Sequence, residues 1–156
     1  MNPRLLRAAL IAGRLFLGGI LVYAAYTKLK LPWISFAATI EAYQLLPDWG
    51  VIFVARTLPP FELVLGLMLI AGVGLRWVAA AASALLLAFF LIMVRAYALG
   101  MDIDCGCFGP GDRLSAKTLV RDGLLLSLAL ALTFGAFRRA RRPPAENALE
   151  SPPATA

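Results

Sequence analysis

The only two cysteines of the chain, Cys105 and Cys107, flank a single glycine in a short polar segment between two long apolar runs. Thiols this close together favour redox chemistry over packing. A disulfide between them closes a very small, strained ring, which Gly106 accommodates because it has no Cβ. A strained bond is easily reduced, and so short a loop removes little unfolded-state entropy. We therefore interpret Cys105 and Cys107 as a catalytic thiol pair.

Two other interpretations of the pair stay open. The thiols could be structural or inert, or they could bind a metal ion. Two thiolates fill only half of a tetrahedral metal site, and the chain has no histidine to complete it. Asp102 and Asp104, or thiolates of a second chain, would have to supply the other ligands. We accordingly predict no metal site.

Several neighbours are expected to support the pair. Arg95, near the end of the third apolar run, and Arg121, near the start of the fourth, would favour the thiolate form. Either arginine could instead reach lipid phosphates. Asp102 and Asp104 oppose thiolate formation, which leaves the net pKa shift open. The motif residues that complete the predicted site are Asp104, Gly106, Phe108 and Gly109.

The rest of the chain has the composition of a membrane protein. Apolar residues make up 61% of its 156 residues, well above the roughly 45–50% of soluble domains. Four apolar runs reach the roughly 17–25 residues that cross a bilayer as a helix, and no barrel-strand alternation is present. They lie at about 8–27, 51–73, 77–99 and 119–137. The sequence predicts an all-α integral membrane protein, with an antiparallel four-transmembrane-helix bundle over residues 1–142.

Other function classes have little support. The net charge of +6 does not indicate nucleic-acid binding, because almost no soluble surface is available for a basic face. The chain has no phosphate-binding glycine loop, serine nucleophile elbow or histidine base, which disfavours nucleotide-dependent and hydrolytic functions. Residues 143–156 are rich in Pro, Ala and Glu, and we predict a disordered cytoplasmic tail there.

The basic residues predict that both termini are cytoplasmic, since short segments rich in Lys and Arg stay on that side. Seven flank the runs on the side of the termini and four on the other side, a margin that Arg56, Arg95 and Arg121 would narrow. The seven are Arg4, Arg7, Arg76, Arg138, Arg139, Arg141 and Arg142, and the four are Lys28, Lys30, Arg113 and Lys117. The cysteine loop would then face the periplasm from the inner (plasma) membrane, where disulfides persist.

The N-terminal region and the first connection carry two further expectations. An apolar stretch followed by Ala24 and Ala25 also fits a signal peptide, but Arg14 interrupts it and four spans are favoured. The connection from residue 28 to residue 50 contains a mildly amphipathic stretch at 34–46, which lies along the membrane surface or forms an ordinary loop. Its aromatic residues Trp33, Tyr43 and Trp49 are expected at the lipid headgroups.

Charged and small residues predict how the first two runs meet. Glu62 lies near the middle of the second run, where a carboxylate is costly and needs a partner. It could hold helices together as an ion pair, or it could handle protons or bind a quinone. Close helix contact is expected at the glycines of both runs, which are Gly13, Gly18, Gly19, Gly66 and Gly72. The cations considered as partners of Glu62 are Arg14, Arg56 and Arg95.

The chain resembles the MauE family of methylamine-utilisation membrane proteins, within the DoxX-like four-helix group. The residues that carry the resemblance are Lys28-Leu29 with Pro32, Ile40, Tyr43, Leu45-Leu46-Pro47, Leu58-Pro59, Glu62-Leu63, Gly66 and Asp104-Cys105-Gly106-Cys107-Phe108-Gly109. The resemblance implies a membrane protein that acts with a thioredoxin-like periplasmic partner. Together they would form or maintain disulfides in an exported client, the small subunit of methylamine dehydrogenase. The particular client does not follow from these residues.

The leading hypothesis is that the cysteine pair exchanges disulfides with that partner, as a thiol-disulfide oxidoreductase. A second hypothesis is a quinone-reactive subunit similar to the DoxX and DoxD proteins of thiosulfate oxidation, with Glu62 at its site and quinone as cofactor. A third is a non-catalytic assembly scaffold. Substitution of Cys105 or Glu62 discriminates among the three.

Overall fold

The computed structural model describes residues 3–107 and 112–140. The helices in these ranges are α1 (Pro3–Leu29), α2 (Trp33–Ala42), α3 (Asp48–Ala71), α4 (Leu75–Ala98) and α5 (Ala116–Ala140). All except α2 contain a segment long and apolar enough to cross a membrane, at Ala8–Leu29, Asp48–Ala71, Leu75–Ala98 and Ala116–Arg138. The predicted all-α, four-span architecture is confirmed, and each predicted boundary agrees within three residues. The predicted tail and two motif residues, Phe108 and Gly109, lie outside the described ranges.

The long helices pack as two antiparallel pairs. α1 packs mainly on α3, and α4 packs mainly on α5. At one end of the bundle, Leu10 of α1 contacts Gly135 of α5, which brings the first and last helices together. The start of α1 and the end of α5 therefore lie at the same end, and the cysteine loop between α4 and α5 lies at the opposite end.

A close backbone contact joins α1 and α3. A Cβ added to Gly18 would lie 2.8 Å from the Gly66 carbonyl oxygen, and one added to Gly66 would lie 2.8 Å from the Gly18 carbonyl oxygen. The two glycines therefore let the helix backbones touch, as small residues do in membrane bundles. Of the five glycines expected to allow close helix contact, Gly18 and Gly66 are confirmed at the contact between α1 and α3. Gly19, next along α1, has no such neighbour.

A tight turn at residues 72–74 joins α3 to α4. Gly72 has a φ of +77°, and the Val73 N–H donates to the Met68 carbonyl oxygen at 3.2 Å. This left-handed glycine with a six-to-one hydrogen bond is the Schellman ending of a helix. Arg14 of α1 reaches the same end, where Nη2 lies 3.4 Å from the Ile70 carbonyl oxygen. Arg14 thus contacts the end of α3 and is not the partner of Glu62.

Apolar side chains fill the bundle and also cover much of its outer surface. The core includes Leu17, Leu21, Leu65, Leu69, Val78, Ala79, Ala82, Ala129 and Leu132. Large apolar side chains such as Phe16, Leu91 and Phe134 are exposed on the long helices. In a bilayer these side chains face lipid, which is as apolar as the core. The exposed apolar surface therefore agrees with the membrane-spanning assignment.

The first connection forms α2, a short helix that packs on α3 at the cysteine-loop end. It corresponds to the amphipathic stretch expected at 34–46 but ends at Ala42, and Gln44 follows with a φ of +50°. Phe36 is its buried residue. Trp49 is 74% exposed, whereas Tyr43 is 7% exposed and lies inside the protein. The expectation that Tyr43 reaches the lipid headgroups is therefore wrong.

Enlarging either contact glycine is expected to weaken the bundle. Gly18→Ala or Gly66→Ala places a methyl group against the opposite backbone, which overpacks the interface at a cost of about 1–3 kcal/mol. Thermal unfolding in detergent measures the effect. Gly19→Ala is the matched control, because its methyl group meets no atom, and it should be as stable as the unmodified protein. Equal stability of all three variants would contradict the close contact.

Candidate functional site

A short backbone ladder holds the cysteine loop closed. Gly100 follows the end of α4 with a φ of +67°, and the Met101 N–H donates to the Ala96 carbonyl oxygen at 3.1 Å. Farther on, the Leu114 N–H donates to the Ile103 carbonyl oxygen at 2.9 Å. The Cys105 N–H donates to the Asp112 carbonyl oxygen at 2.8 Å. These bonds position Cys105 directly beside Asp112.

Helix α2 packs against the loop at Gly106. Gly106 has a φ of +71°, in the left-handed region that glycine adopts without strain. A Cβ there would lie 2.8 Å from Thr39 Cγ2 and 3.8 Å from Phe36 Cε2. The glycine between the cysteines therefore lets the loop turn and also lets it approach α2.

Tyr43, just after α2, fixes the backbone of the first cysteine. Its hydroxyl donates to the Cys105 carbonyl oxygen at 3.0 Å and lies 3.5 Å from the Asp104 carbonyl oxygen. Burial raises the pKa of Tyr43 well above its usual range, and the nearby Cys107 and Cys105 raise it further. The hydroxyl therefore stays protonated and remains a hydrogen-bond donor.

Each thiol has its own carboxylate neighbour. Cys105 is 1% exposed, and its thiol lies 3.3 Å from Asp112 Oδ2. Cys107 is half-buried, and its thiol lies 3.3 Å from Asp122 Oδ2 and 3.6 Å from Met93 Sδ. The Cys107 N–H also points at the Cys105 sulfur, at 3.4 Å. Both cysteines are free thiols with a hydrogen-bond acceptor within reach.

One guanidinium connects the two carboxylates. Arg121 Nη1 donates to Asp112 Oδ2 at 2.8 Å, and Nε donates to Asp122 Oδ1 at 3.0 Å. Nη2 lies 3.8 Å from the Cys105 sulfur. Arg121 therefore contacts both carboxylates and one of the two sulfur atoms. We call Asp112, Arg121 and Asp122 the acid–arginine clamp.

The start of α5 positions two members of this clamp. The Ser115 hydroxyl accepts a hydrogen bond from the Thr118 N–H at 3.4 Å, which is the arrangement of a helix N-cap. The Thr118 hydroxyl in turn donates to the Arg113 carbonyl oxygen at 3.1 Å. These bonds tie the first turn of α5 to the loop, so Arg121 and Asp122 in the next turn face the cysteines.

The two thiols differ in acidity. The hydrogen bond from the Cys107 thiol to the Cys105 sulfur, together with the one from the Cys107 N–H, lowers the pKa of Cys105 despite burial and Asp112. The same thiol–sulfur hydrogen bond raises the pKa of Cys107 far above its usual range, and burial and Asp122 raise it further. Cys105 therefore ionises first, and Cys107 keeps its proton.

The predicted site residues fall into three groups. The structure brings Asp104, Gly106 and Arg121 to the cysteines, although Asp104 does so through its carbonyl oxygen. Arg95 is exposed, two residues beyond Met93 on α4, and so lies on nearly the opposite side of that helix. The described residues show no ion pair or side-chain hydrogen bond of Arg95. Phe108 and Gly109 lie outside the described ranges.

Glu62 forms a buried ion pair with Lys28, separate from the hydrogen bonds of the cysteines. Lys28 Nζ donates to both carboxylate oxygens, at 2.8 and 2.7 Å, and the two side chains are 2% and 5% exposed. The Lys28 ammonium also lies 5.3 Å from the Phe36 ring centroid and 5.8 Å from that of Phe89. The arginines considered as partners were therefore the wrong choice. In the sequence, Lys28 at the end of α1 looks like one of the basic residues that flank a span.

Sequence reasoning missed four residues of the site: Tyr43, Met93, Asp112 and Asp122. Asp122 could have been identified from the sequence, because an acidic residue beside Arg121 in an apolar span is costly unless it is paired or functional. The other three become visible only through tertiary contacts. Within residues 3–107 and 112–140, no three His, Cys, Asp or Glu side chains are arranged to hold a metal ion.

Comparison with known proteins places this sequence in a family. The sequence model described as "Methylamine utilisation protein MauE" matches residues 6–135, which include three spans, the cysteine loop and most of the fourth span. The chain belongs to the MauE family. Membership suggests a role in methylamine utilisation, and with four candidate spans it indicates a multi-pass membrane protein.

A curated relative agrees with this assignment. The MauE-family chain is 34% identical over 125 residues to the methylamine utilization protein MauE of Paracoccus denitrificans. The alignment covers 78% of this chain and 67% of that protein. No solved structure matches the chain significantly.

The acidity difference predicts a two-step thiolate titration. Absorbance at 240 nm, referenced to a double cysteine-to-serine variant, should show one thiolate forming below the ordinary cysteine pKa of about 8.5. As the pH falls through that lowered pKa, the thiolate signal is lost. Cys107→Ala should move the transition up, because the side-chain hydrogen-bond donor to the Cys105 sulfur is removed. Two thiolates with ordinary pKa values would contradict the arrangement.

Breaking the buried ion pair is expected to destabilise this MauE-family protein strongly. Lys28→Met or Glu62→Gln leaves an uncompensated buried charge or polar group, at a cost of about 3–5 kcal/mol. The double variant should lose less free energy of unfolding than the two single variants added together, since no unpaired charge remains. The free energy of unfolding in detergent measures the cycle. Asp102→Asn, which removes an exposed ion pair with Arg113, should change stability by less than about 1 kcal/mol.

Proposed function

We propose that this protein is a membrane thiol-disulfide exchange protein whose Cys105 and Cys107 alternate between dithiol and disulfide. The exchange partner is a thioredoxin-like protein on the periplasmic side of the inner membrane. The process served is the maturation of a disulfide-containing exported client, the methylamine dehydrogenase small subunit or a related protein. Family membership motivates this assignment of partner and client.

The observation that carries the proposal is the pairing of each thiol with its own carboxylate under one guanidinium. A structural disulfide needs no proton acceptor at its sulfur atoms. Here Asp112 Oδ2 and Asp122 Oδ2 each lie 3.3 Å from a cysteine sulfur, and Arg121 holds both carboxylates in place. Such an arrangement supports proton transfer to and from both thiols, which disulfide exchange requires.

Exchange at this site keeps the number of disulfide bonds constant. When the bond between Cys105 and Cys107 breaks, one forms between the partner's two sulfur atoms, and two electrons pass from the partner to the pair. The reverse exchange passes them back. Protons that leave or reach the sulfur atoms pass through Asp112 and Asp122. The chemistry needs no metal ion or organic cofactor.

The position of the loop supports contact with a soluble partner. The loop lies at the end of the bundle opposite the start of α1 and the end of α5. The excess of basic residues on the side of the termini favours a cytoplasmic location for them. With this orientation the cysteine pair faces the periplasm, an oxidising compartment in which disulfides form and persist.

Thiol trapping in intact cells tests the proposal. A membrane-impermeant maleimide should label the pair after mild reduction and should fail to label it after reoxidation. Cys105→Ser and Cys107→Ser should each abolish client maturation. The Lys28→Met/Glu62→Gln double variant, which leaves no unpaired buried charge, should preserve it at an expression level matched to the unmodified protein. Thiols that never change state, or maturation that depends on Glu62 and not on the cysteines, would overturn the proposal and favour the quinone-reactive alternative.

A further inference from the structure

We propose that the two cysteines have fixed and different roles: a partner thiolate attacks the Cys107 sulfur, and Cys105 leaves as a thiolate beside Arg121. The pair thereby accepts electrons and oxidises the partner. This inference rests on the proposed exchange function and specifies its direction and the sulfur that reacts. Arg121 becomes a positioning residue for the leaving group.

Accessibility separates the two sulfur atoms. The Cys105 residue is 1% exposed, whereas Cys107 is half-buried. The backbone of Cys105 is held on both sides, through its N–H to Asp112 and through its carbonyl oxygen to Tyr43. An attacking sulfur must approach along the axis of the disulfide, and Cys107 is the more exposed of the two residues.

The two sulfur atoms also differ in the charged groups that surround them. Arg121 Nη2 and the Cys107 N–H point at the Cys105 sulfur, from 3.8 and 3.4 Å. A cation and a backbone donor both stabilise negative charge on sulfur. The Cys107 sulfur instead faces Asp122 Oδ2 and Met93 Sδ, neither of which stabilises a thiolate. The leaving group in exchange is the sulfur that better carries negative charge, and here that sulfur is Cys105.

The reaction balances in two displacements. The partner's thiolate forms a bond with Cys107 Sγ as the Cys105–Cys107 bond breaks, and the electron pair of that bond stays on Cys105. The partner's second thiol then attacks its own sulfur in the mixed disulfide and releases Cys107. The proton of that second thiol passes to Cys107 by way of Asp122. The partner ends as a disulfide, and the pair ends as a Cys105 thiolate with a Cys107 thiol.

The dithiol form has the arrangement that this product requires. The hydrogen bond from the Cys107 thiol to the Cys105 sulfur lowers the pKa of Cys105 and raises that of Cys107. A reduced state stabilised in this way makes a thiol pair an oxidant. The asymmetry of the dithiol therefore agrees with the roles drawn from exposure and from the position of Arg121.

Trapping the mixed disulfide tests the assignment. The purified, oxidised full-length protein is mixed with a thioredoxin whose second active-site cysteine is replaced by serine, and N-ethylmaleimide is then added. Fragmentation mass spectrometry identifies which cysteine carries the thioredoxin and which carries maleimide. We expect Cys107 to carry thioredoxin in about tenfold excess.

The outcomes separate this inference from the function on which it rests. Linkage mainly at Cys105, or equal linkage at both cysteines, overturns the fixed roles and leaves the exchange function intact. Failure of the pair to form any disulfide on oxidation overturns both.

Substitution of Arg121 tests the leaving-group role. Arg121→Met should slow exchange about tenfold and shift the pH profile of the reduced pair upward, because the Cys105 thiolate loses its cation. Arg121→Lys should restore part of the rate. Lys117→Met, an exposed cation one helical turn earlier in α5, is the matched control and should stay within about twofold of the unmodified protein. An unchanged pH profile in Arg121→Met would overturn the role of Arg121.

Discussion

The contact of one guanidinium with two carboxylates organises the end of this protein that carries the cysteine loop. Arg121 joins Asp112 of the loop to Asp122 of α5, and each carboxylate faces one thiol. The charges differ in exposure: the Asp122 side chain is 10% exposed, whereas Asp112 and Arg121 are 32% and 37% exposed. Without the cation, two carboxylates would lie beside two cysteines and oppose every thiolate. Arg121 therefore makes an ionised sulfur compatible with this acidic loop.

A second charged pair lies next to the thiol site and shares a wall with it. The Phe36 ring lies over the Lys28 ammonium and also faces the turn at Gly106. Phe89, one turn before Met93 on α4, contacts the same ammonium from another side. The buried pair of Lys28 with Glu62 joins α1 to α3 beside Phe36 of α2. The residues next to the cysteine loop therefore include two aromatic rings, Phe36 and Phe89, and the ion pair of Lys28 with Glu62.

Local features of the sequence were sufficient to predict the membrane spans. They were not sufficient to predict which residues contact each other across the fold. Apolar length defines a membrane helix within one segment, so all four spans were predicted correctly. Gly18 and Gly66 were among five glycines expected at close helix contacts, and the sequence did not show which two would meet. Spacing alone also singled out Cys105 and Cys107. Tyr43, Met93 and Asp112 reach the thiols from separate elements, and a single sequence does not show such contacts. The partner of Glu62 was missed because Lys28, at a helix end, looks like an ordinary flanking charge.

The most direct test of a redox-active pair is its equilibrium with glutathione. The purified protein is equilibrated across a series of reduced and oxidised glutathione ratios, and its thiols are counted by mass after alkylation. A thiolate stabilised by Arg121 and by Cys107 predicts a midpoint less negative than about −200 mV, within the range of oxidising thiol pairs. A pair that stays fully reduced or fully oxidised across the whole series would contradict the assignment of redox chemistry to this loop.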